Sequence, residues 1–440
     1  MYALLKTCLK KNTSLMLITL LVTPPVFGES FDLLKLYHLA SEADTILQVA
    51  KATQRSVAQN LPQARAALLP NASLSANSSS NSINFPPSTY SSQTYNLSIT
   101  QPLFHMDSWL ALQKADVEVQ QAVLNLAYSE QDLMVRLAQQ YLAVLKANDT
   151  LHFSRSQRQA FAEQLAQTQQ RFKVGLISIT DVNDAQARHD SAYADEISAE
   201  NQLANQKENL HQIVGTPIAI ISPLKEILPL VSPQPSDMEH WVREALTHNL
   251  NLEAARLNVK ISKKEIHKQQ AGHLPTLDFS ASRVYGKPYF PPLVNSGGTD
   301  NMVMLSVSLP LFSGGLTLSK TTQALYNYQK SSGELEGKRR LTESDTRQAY
   351  RGVLTQISQV HALKQAVLSS QSALDATQAA FSVGTRTMVD VLNAQSNVFS
   401  AEKNYAAARC DYILETLKLK KAAGHLRFED LQEVNRWLQS

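Results

Sequence analysis

Hydrophobic and polar residues follow two different periods along the 440-residue chain. Four short runs alternate apolar and polar side chains, which predicts β-strands that have one apolar face and one rich in Ser, Asn, Thr and Asp. These runs cover residues 71–77, 94–103, 276–285 and 301–309. Between the members of each pair, the Ser-, Asn- and Pro-containing residues 78–93 and the Gly- and Pro-containing residues 286–300 predict loops. The sequence therefore predicts two separate strand pairs.

A long helical pattern follows each strand pair, at about residues 105–173 and about 314–382. Neither stretch contains proline, and apolar residues recur every three or four positions, as at Leu133, Leu137 and Tyr141. At 1.5 Å per residue, each helix is expected to reach roughly 100 Å. A tight turn at Val174-Gly175 and another at Val383-Gly384 are expected to reverse the chain into a second helix.

The two halves of the chain repeat the same landmarks in the same order. Leu69-Pro70 corresponds to Leu274-Pro275, residues 101–104 (QPLF) to residues 309–312 (LPLF), and residues 172–186 to residues 381–395. Three ordered correspondences indicate an internal duplication. The predicted organisation is a signal peptide at 1–28, a first repeat at 29–215, a linker at 216–236, a second repeat at 237–425 and a C-terminal tail at 426–440.

The first residues have the pattern of a secretory signal. Lys6, Lys10 and Lys11 precede a short apolar run, and Gly28 ends a plausible cleavage site. The apolar run is too short for a transmembrane anchor, which needs about 20 residues. The predicted mature chain has 41 − 3 = 38 basic and 38 acidic residues. This balance gives no indication of nucleic-acid binding.

No motif for catalysis or cofactor binding is recognisable. The 11 histidines form no metal-ligand spacing, and the chain has no phosphate-binding glycine loop and no nucleophile elbow. The sequence therefore predicts neither an enzyme nor a bound cofactor or metal.

The strands and helices cannot complete a structure within one chain. Four strands of about ten residues have the length that crosses a bilayer at a tilt, but four strands cannot close a barrel, and lipid does not tolerate an open edge. A helical hairpin about 100 Å long also lacks a core of its own, so its apolar stripes need neighbours. The sequence therefore predicts an oligomeric tube, part β-barrel and part α-barrel.

Two long motifs span the predicted turns, RFKVGLISITDVNDAQA at 171–187 and FSVGTRTMVDVLNAQSNVFSAEKNYAAARCDYI at 381–413. With these motifs the chain resembles the TolC family of outer-membrane efflux and type I secretion channels. The resemblance implies a homotrimer in the outer membrane with a twelve-stranded barrel and a long periplasmic helical extension. It also implies contacts with outer-membrane lipid, a periplasmic adaptor and an inner-membrane transporter of the ABC or RND type, and it puts 216–236 and the tail in an equatorial band.

The resemblance assigns two groups of residues at the hairpin tips. The adaptor-contacting group is Val174, Gly175, Leu176, Val383, Gly384 and Thr385. The pore-entrance group is Asp390, Asn393, Arg386, Phe381, Thr180 and Asp181. The residues alone allow simpler roles, because Ser178-x-x-Asp181 and Thr387-x-x-Asp390 fit a helix-capping box and the two glycines fit turn positions. Arg386 could equally be a solvated charge on a turn.

Two positions differ from the nearest family pattern. Asn393 replaces a second aspartate, which implies a weaker acidic ring at the entrance. Phe381 replaces a tyrosine that, with partners matching Arg386, Thr180 and Asp181, ties neighbouring hairpins together, so this latch lacks one hydroxyl. The alternative function is a periplasmic coiled-coil adaptor or scaffold without a pore, which explains the hairpins but not the duplicated strand pairs.

Overall fold

The computed structural model describes residues 31–85, 87–286 and 298–439. The predicted signal peptide at 1–28 lies outside these residues, as do residues 287–297 of the second predicted loop. Each half of the chain contains short helices, two strands, a very long helix and a returning helix. In the first half these are α1 (Leu33–Ala43), α2 (Thr45–Ala58), α3 (Asn60–Ala66), β1 (Asn71–Asn84), β2 (Pro87–Phe104), α4 (Met106–Lys173) and α5 (Ile179–Val214). In the second half they are α6 (Met238–His248), α7 (Leu250–Gln270), β3 (Thr276–Gly286), β4 (Gly298–Ser308), α8 (Leu316–Ser382), α9 (Met388–Ala422) and α10 (Phe428–Arg436).

The four strands form one antiparallel sheet in the order β1-β2-β3-β4. The central β2–β3 pair joins the two halves, and β1 and β4 lie at the edges of the sheet. All four predicted strands are confirmed. The predicted loop over residues 78–93 is wrong, because β1 and β2 stay paired from Asn77↔Thr94 outward to Asn84↔Pro87. Backbone pairing between β1 and β2 extends this polar ribbon beyond the last β2–β3 pair, Thr94↔Gly286.

The strand register places most of the apolar residues of the four strands on one face of the sheet, whereas Val284, Met302 and Met304 lie on the other face. Across β1 and β2, Leu74 pairs with Leu97, and across β3 and β4, Phe279 pairs with Leu305. This apolar face is uncovered in the single chain, where Leu74 is 74% exposed and Val303 is 72% exposed. Ser and Asn residues dominate the opposite face.

The long helices match the sequence prediction closely. α4 has 68 residues and α8 has 67, so each extends about 100 Å at 1.5 Å per residue. The short helices end before Leu69-Pro70 and Leu274-Pro275, as expected from the restriction that proline places on the residue before it. Within the described residues, no helix has the apolar length that a bilayer crossing requires.

The helices lie side by side in an order that follows the order of the strands across the sheet. Next to the sheet, α2 and α3 pack on α4, and α7 packs between α4 and α8. Farther from the sheet, α4 pairs with α5, α8 pairs with α9, and α4 packs against α9. One side of the molecule is thus formed by β1, α2, α3 and α5, and the other side by β4 and α8.

The largest hydrophobic core surrounds the middle of α4 and α8. It includes α1, α10 and the ends of α5 and α9, with Leu36, Leu137 and Ile413 fully buried. The predicted linker crosses this core in extended form. Its backbone accepts a 2.6 Å hydrogen bond from Tyr141 Oη at Ser222 and pairs with the C-terminal tail at Leu224 and Leu438. This belt fixes the hairpins at their centre and leaves their distant tips free of other elements.

Candidate functional site: the two hairpin tips

The tip between α4 and α5 is a rigid turn that ends one helix and starts the next. Gly175 adopts a φ of 75°, its N–H donates to Phe172 O at 2.9 Å, and the N–H of Leu176 donates to Arg171 O at 3.0 Å. These two bonds are the Schellman pattern, which satisfies the last carbonyl groups of α4 and favours glycine at the left-handed position.

The tip between α8 and α9 has the same construction. Gly384 has a φ of 79°, its N–H donates to Phe381 O at 3.0 Å, and the N–H of Thr385 donates to Ala380 O at 2.9 Å. The Thr385 hydroxyl donates a further 2.9 Å bond to the same carbonyl. The two predicted turns are therefore confirmed.

Both tips present apolar side chains to solvent. Val174 is 70% exposed, Leu176 is 74% exposed and Val383 is 73% exposed. Because the turns are held by backbone bonds, these side chains project from fixed positions at the end of a long scaffold. Exposed loop residues on a rigid scaffold are frequent binding positions.

Asp181 and Asp390 both cap the helix that follows their turn. The N–H of Asp181 donates to Ser178 Oγ at 3.3 Å, and the N–H of Asp390 donates to Thr387 Oγ1 at 3.2 Å. In return, each carboxylate accepts a 3.0 Å bond from the backbone N–H of Ser178 or Thr387. The predicted capping boxes are thus present at both tips.

The capping bonds also affect the charge of Asp390. The backbone N–H and the hydroxyl of Thr387 donate to its carboxylate, and Arg386 Nη1 lies 4.0 Å from Oδ1, which together hold the pKa of Asp390 below its ordinary value. Capping uses Oδ2, and the carboxylate stays partly exposed. Asp390 is therefore a persistent negative charge as well as a cap.

Thr180, Asp181 and Arg386 do not meet within the subunit. Thr180 and Asp181 lie in the first turn of α5, Arg386 directly precedes the N-cap residue of α9, and the described contact of Arg386 is with Asp390. Arg386 is largely exposed, and within its own chain it makes a long ionic contact with Asp390. These residues therefore lie at the same end of the molecule but in two different tips.

Phe381 faces inward, towards its own subunit. It packs against the small core of Phe161, Ala192, Met388 and Leu392, and the guanidinium carbon of Arg171 lies 5.0 Å from the centre of its ring. This cation–π contact ties the end of α8 to the end of α4. An aromatic ring in this place needs no hydroxyl partner to be stabilised.

Asn393 has a partner that sequence reasoning missed. Arg188 Nη2 on α5 donates a 2.8 Å hydrogen bond to Asn393 Oδ1 on α9. The two residues lie in different repeats, and nothing in the sequence pattern singles out Arg188. The bond links the two hairpins of the subunit just inside their tips.

Nothing in the described residues points to catalysis. No three His, Cys, Asp or Glu side chains there converge as metal ligands. The free thiol of Cys410 is buried, and burial raises its pKa to about 12, so it stays protonated and unreactive at neutral pH.

Comparison with known proteins identifies this combination of sheet, long hairpins and paired tips. The sequence profile of the family "Outer membrane efflux protein" matches residues 36–216 and 241–425, one segment in each half of the chain. The chain belongs to the outer membrane efflux protein family. The TolC-like resemblance of the sequence motifs is thereby confirmed.

Several relatives in this family match over most of their length. The chain is 36% identical to outer membrane protein TolC of Vibrio cholerae over 93% of this chain and 94% of that protein. It is 30% identical to the alkaline protease secretion protein AprF of Pseudomonas aeruginosa, over 90% of this chain and 85% of AprF.

Solved outer-membrane proteins share the fold. The outer membrane protein VceC of Vibrio cholerae superposes with a TM-score of 0.78 at 19% identity, over 89% of this chain and 96% of VceC. The CmeC outer membrane channel of Campylobacter jejuni also gives a TM-score of 0.78, at 15% identity, over 92% of this chain and 90% of CmeC. The mostly helical fold with a small antiparallel sheet is thus that of outer-membrane channels.

This efflux family protein is an outer-membrane exit duct for efflux or secretion. The prediction of outer-membrane location is confirmed with it. Family membership favours the duct over the alternative of a periplasmic scaffold without a pore.

Proposed function

We propose that three copies of the chain close into one passive tube, a twelve-stranded β-barrel continued by a barrel of helices. The observation that carries this proposal is that the sheet of the single chain has two edge strands, which no strand of the same chain covers. β1 and β4 are edge strands beside an uncovered apolar face. In lipid, unpaired strand edges cost several kcal/mol for each unsatisfied backbone group, so β1 of one copy pairs with β4 of the next.

The helices support the same closure. On the α2 and α5 side, Val49 and Ile197 are exposed, and on the α8 side Leu318 and Tyr326 are exposed. The edges of the sheet and the exposed helices lie on the same two sides of the chain. One rotation about a three-fold axis therefore brings both the strands and the helices of neighbouring copies into contact. The apolar residues of the two sides then cover one another, as in other helical assemblies.

The pairing of edge strands can be tested with cysteine pairs. Ser73→Cys on β1 is combined in turn with Met302→Cys, Met304→Cys and Ser306→Cys on β4. Oxidation should give a covalent ladder up to trimer in membranes for at least one pair. The buried Cys410 is not expected to interfere.

The matched control joins two inner strands. Ser98 and Ser282 are direct partners across β2 and β3, so the pair Ser98→Cys and Ser282→Cys should give only an internal disulfide and a monomer band. Edge pairs that also remain monomeric, together with a single chain in native mass spectrometry, would refute the trimer.

The proposed pore entrance lies at the tips. Around a three-fold axis, Asp390 becomes a ring of three carboxylates, with Asn393 just inside it. The exposed Arg386 of one subunit contacts Thr180 and Asp181 of the next in this proposal, and these residues form the inter-subunit latch. Phe381 contributes to the gate by fixing α8 against Arg171 of its own subunit.

The proposed docking surface for a periplasmic adaptor is formed by Val174–Leu176 and Val383–Thr385. Their exposed apolar side chains on rigid turns support this assignment. The adaptor in turn joins the duct to an inner-membrane transporter of the ABC or RND type, which supplies the energy for export.

Photocrosslinking in cells tests the docking surface. A photoreactive residue at Leu176 or Val383 should give an adduct with a periplasmic protein. The same residue at Ile227, which is equally apolar and 87% exposed but lies in the belt, is the control. An identical adduct pattern at all three positions would contradict docking at the tips.

A further inference from the structure

A polar pair interrupts the apolar face of the sheet. Arg283 on β3 lies directly opposite Asn301 on β4. The next pair towards the helices is Ala281↔Val303, and the next pair away from them is Tyr285↔Thr299. Arg283 is exposed and is the only charged residue on this face within β1–β4. The acidic residues Asp278 and Asp300 have the opposite strand parity and lie on the polar face.

The position of Arg283 along the strand sets its depth in the membrane. It lies seven residues beyond Thr276, the first residue of β3, which is about 24 Å along a strand. At a tilt of about 40°, this distance corresponds to a height of about 18 Å within a lipid-facing band about 25 Å tall. Because the helices leave the sheet at the other end, Arg283 lies at the outward end of this lipid-facing band. This depth rests on the barrel proposed above.

Neighbouring residues support this depth. Tyr95 and Tyr285 are direct partners across β2 and β3, one step farther from the helices, and both are half-exposed on the same face. Tyrosines at this level mark the boundary between hydrocarbon and headgroups. From this level, the long side chain of Arg283 is able to reach the headgroups of the outer leaflet.

Within the described part of the sheet, no carboxylate is placed to neutralise Arg283. In the proposed barrel, β1 of the neighbouring subunit lies beyond β4, and β1 contains no acidic residue. A guanidinium on the lipid face is costly at the membrane centre and becomes tolerable near the surface, where an anionic group can approach it. Its planar fork fits the oxygens of a phosphate, and the Asn301 amide adds a donor beside it.

We propose that Arg283, with Asn301, binds a phosphate group of lipid A in the outer leaflet. Two sources of phosphate are available in an outer membrane. A phospholipid diester carries one negative charge, whereas a phosphate monoester of lipid A carries up to two near neutral pH, which strengthens the bidentate pair. The outward position of Arg283 also places it in the leaflet that contains lipid A.

Lipid titration of the purified full-length protein in mild detergent tests this assignment. Binding of bisphosphorylated lipid A is followed by native mass spectrometry and thermal unfolding, with dephosphorylated lipid A, phosphatidylglycerol and inorganic phosphate as comparators. Half-saturation by bisphosphorylated lipid A should need about tenfold more lipid for Arg283→Leu than for the natural protein, the range expected for a charge-assisted bond. Arg283→Lys should fall between them, because it keeps the charge without the fork.

The matched control is Arg340→Leu, which removes an exposed arginine from α8 outside the sheet and should leave lipid A binding unchanged. Equal binding of phosphorylated and dephosphorylated lipid A by the natural protein would overturn the proposal, even if Arg283→Leu failed to fold. Equal binding of phosphatidylglycerol or inorganic phosphate would overturn the assignment to lipid A.

Conductance of the same preparations in planar bilayers separates this inference from the proposed duct. A conducting Arg283→Leu trimer with weakened lipid A binding supports the lipid site. A conducting Arg283→Leu trimer that binds lipid A normally contradicts the lipid site alone. A natural protein without conductance would instead contradict the trimeric pore.

Discussion

Arg188 on α5 donates a 2.8 Å hydrogen bond to the side-chain oxygen of Asn393 on α9. This contact places a positive charge beside the residue where close family patterns have a second aspartate. The electrostatics of the proposed entrance therefore depend on a residue of the other hairpin. In the proposed trimer, Asp390 would then be the dominant acidic group of the entrance ring.

Replacement of Asp390 by Ala should nearly abolish the block of conductance by multivalent cations added from the periplasmic side. Three carboxylates around one axis attract cations strongly, and the change removes all three. Planar-bilayer recordings measure the effect. Thr387→Ala is the control, because it breaks the same cap but keeps the Asp390 carboxylate. If both variants lose block equally, or neither does, the Asp390 ring is not the cation site.

The cation block should be the same at about pH 7 and about pH 5. A carboxylate whose pKa is lowered keeps its charge until the pH falls through that lowered pKa, which for Asp390 lies below the ordinary 3.8. Recordings over this range with fixed salt provide the test. A block that weakens by pH 5 would indicate a group of higher pKa, such as a histidine.

Asn393→Asp should strengthen cation block only slightly. The new carboxylate would lie against Arg188 and form an ion pair with it, which cancels much of the added field. Combining it with Arg188→Gln should release the charge and give a clearly stronger block. Arg188→Gln alone is the control. A full increase from Asn393→Asp alone would show that the hydrogen bond is absent in the open mouth.

Gly384→Val should impair export while the protein still reaches the outer membrane. A side chain added at this glycine meets open space, so the cost comes from its φ of 79° alone, about 1–2 kcal/mol for a left-handed residue. Gly384→Asn is the control, because asparagine tolerates this conformation. Secretion assays alongside membrane fractionation provide the measurement. Equal impairment by Val and Asn would point to lost contacts rather than backbone strain.

Strong local signals made much of this fold predictable. The long helices α4 and α8 follow from the periodicity of apolar residues. The turns at Gly175 and Gly384 follow from the positions of the glycines. The ribbon over residues 78–93 escaped prediction because its Ser- and Asn-rich sequence resembles a loop, while its structure depends on pairing between two strands. The Arg188–Asn393 bond and the Arg171–Phe381 contact join distant residues through the packing of four helices, and no local pattern encodes either of them.

The two tips share one backbone but differ in chemistry. Gly175 and Gly384 have nearly the same φ, and both capping boxes recur at the same spacing. The position of Arg386, however, corresponds to the apolar Ile177 at the other tip. In a trimer, a partner that recognises only the shape of the turn finds two tips in each of three subunits, hence six equivalent positions. A partner that binds the Arg386 side chain has only three such positions in the trimer. The residue at this one position therefore sets the binding stoichiometry.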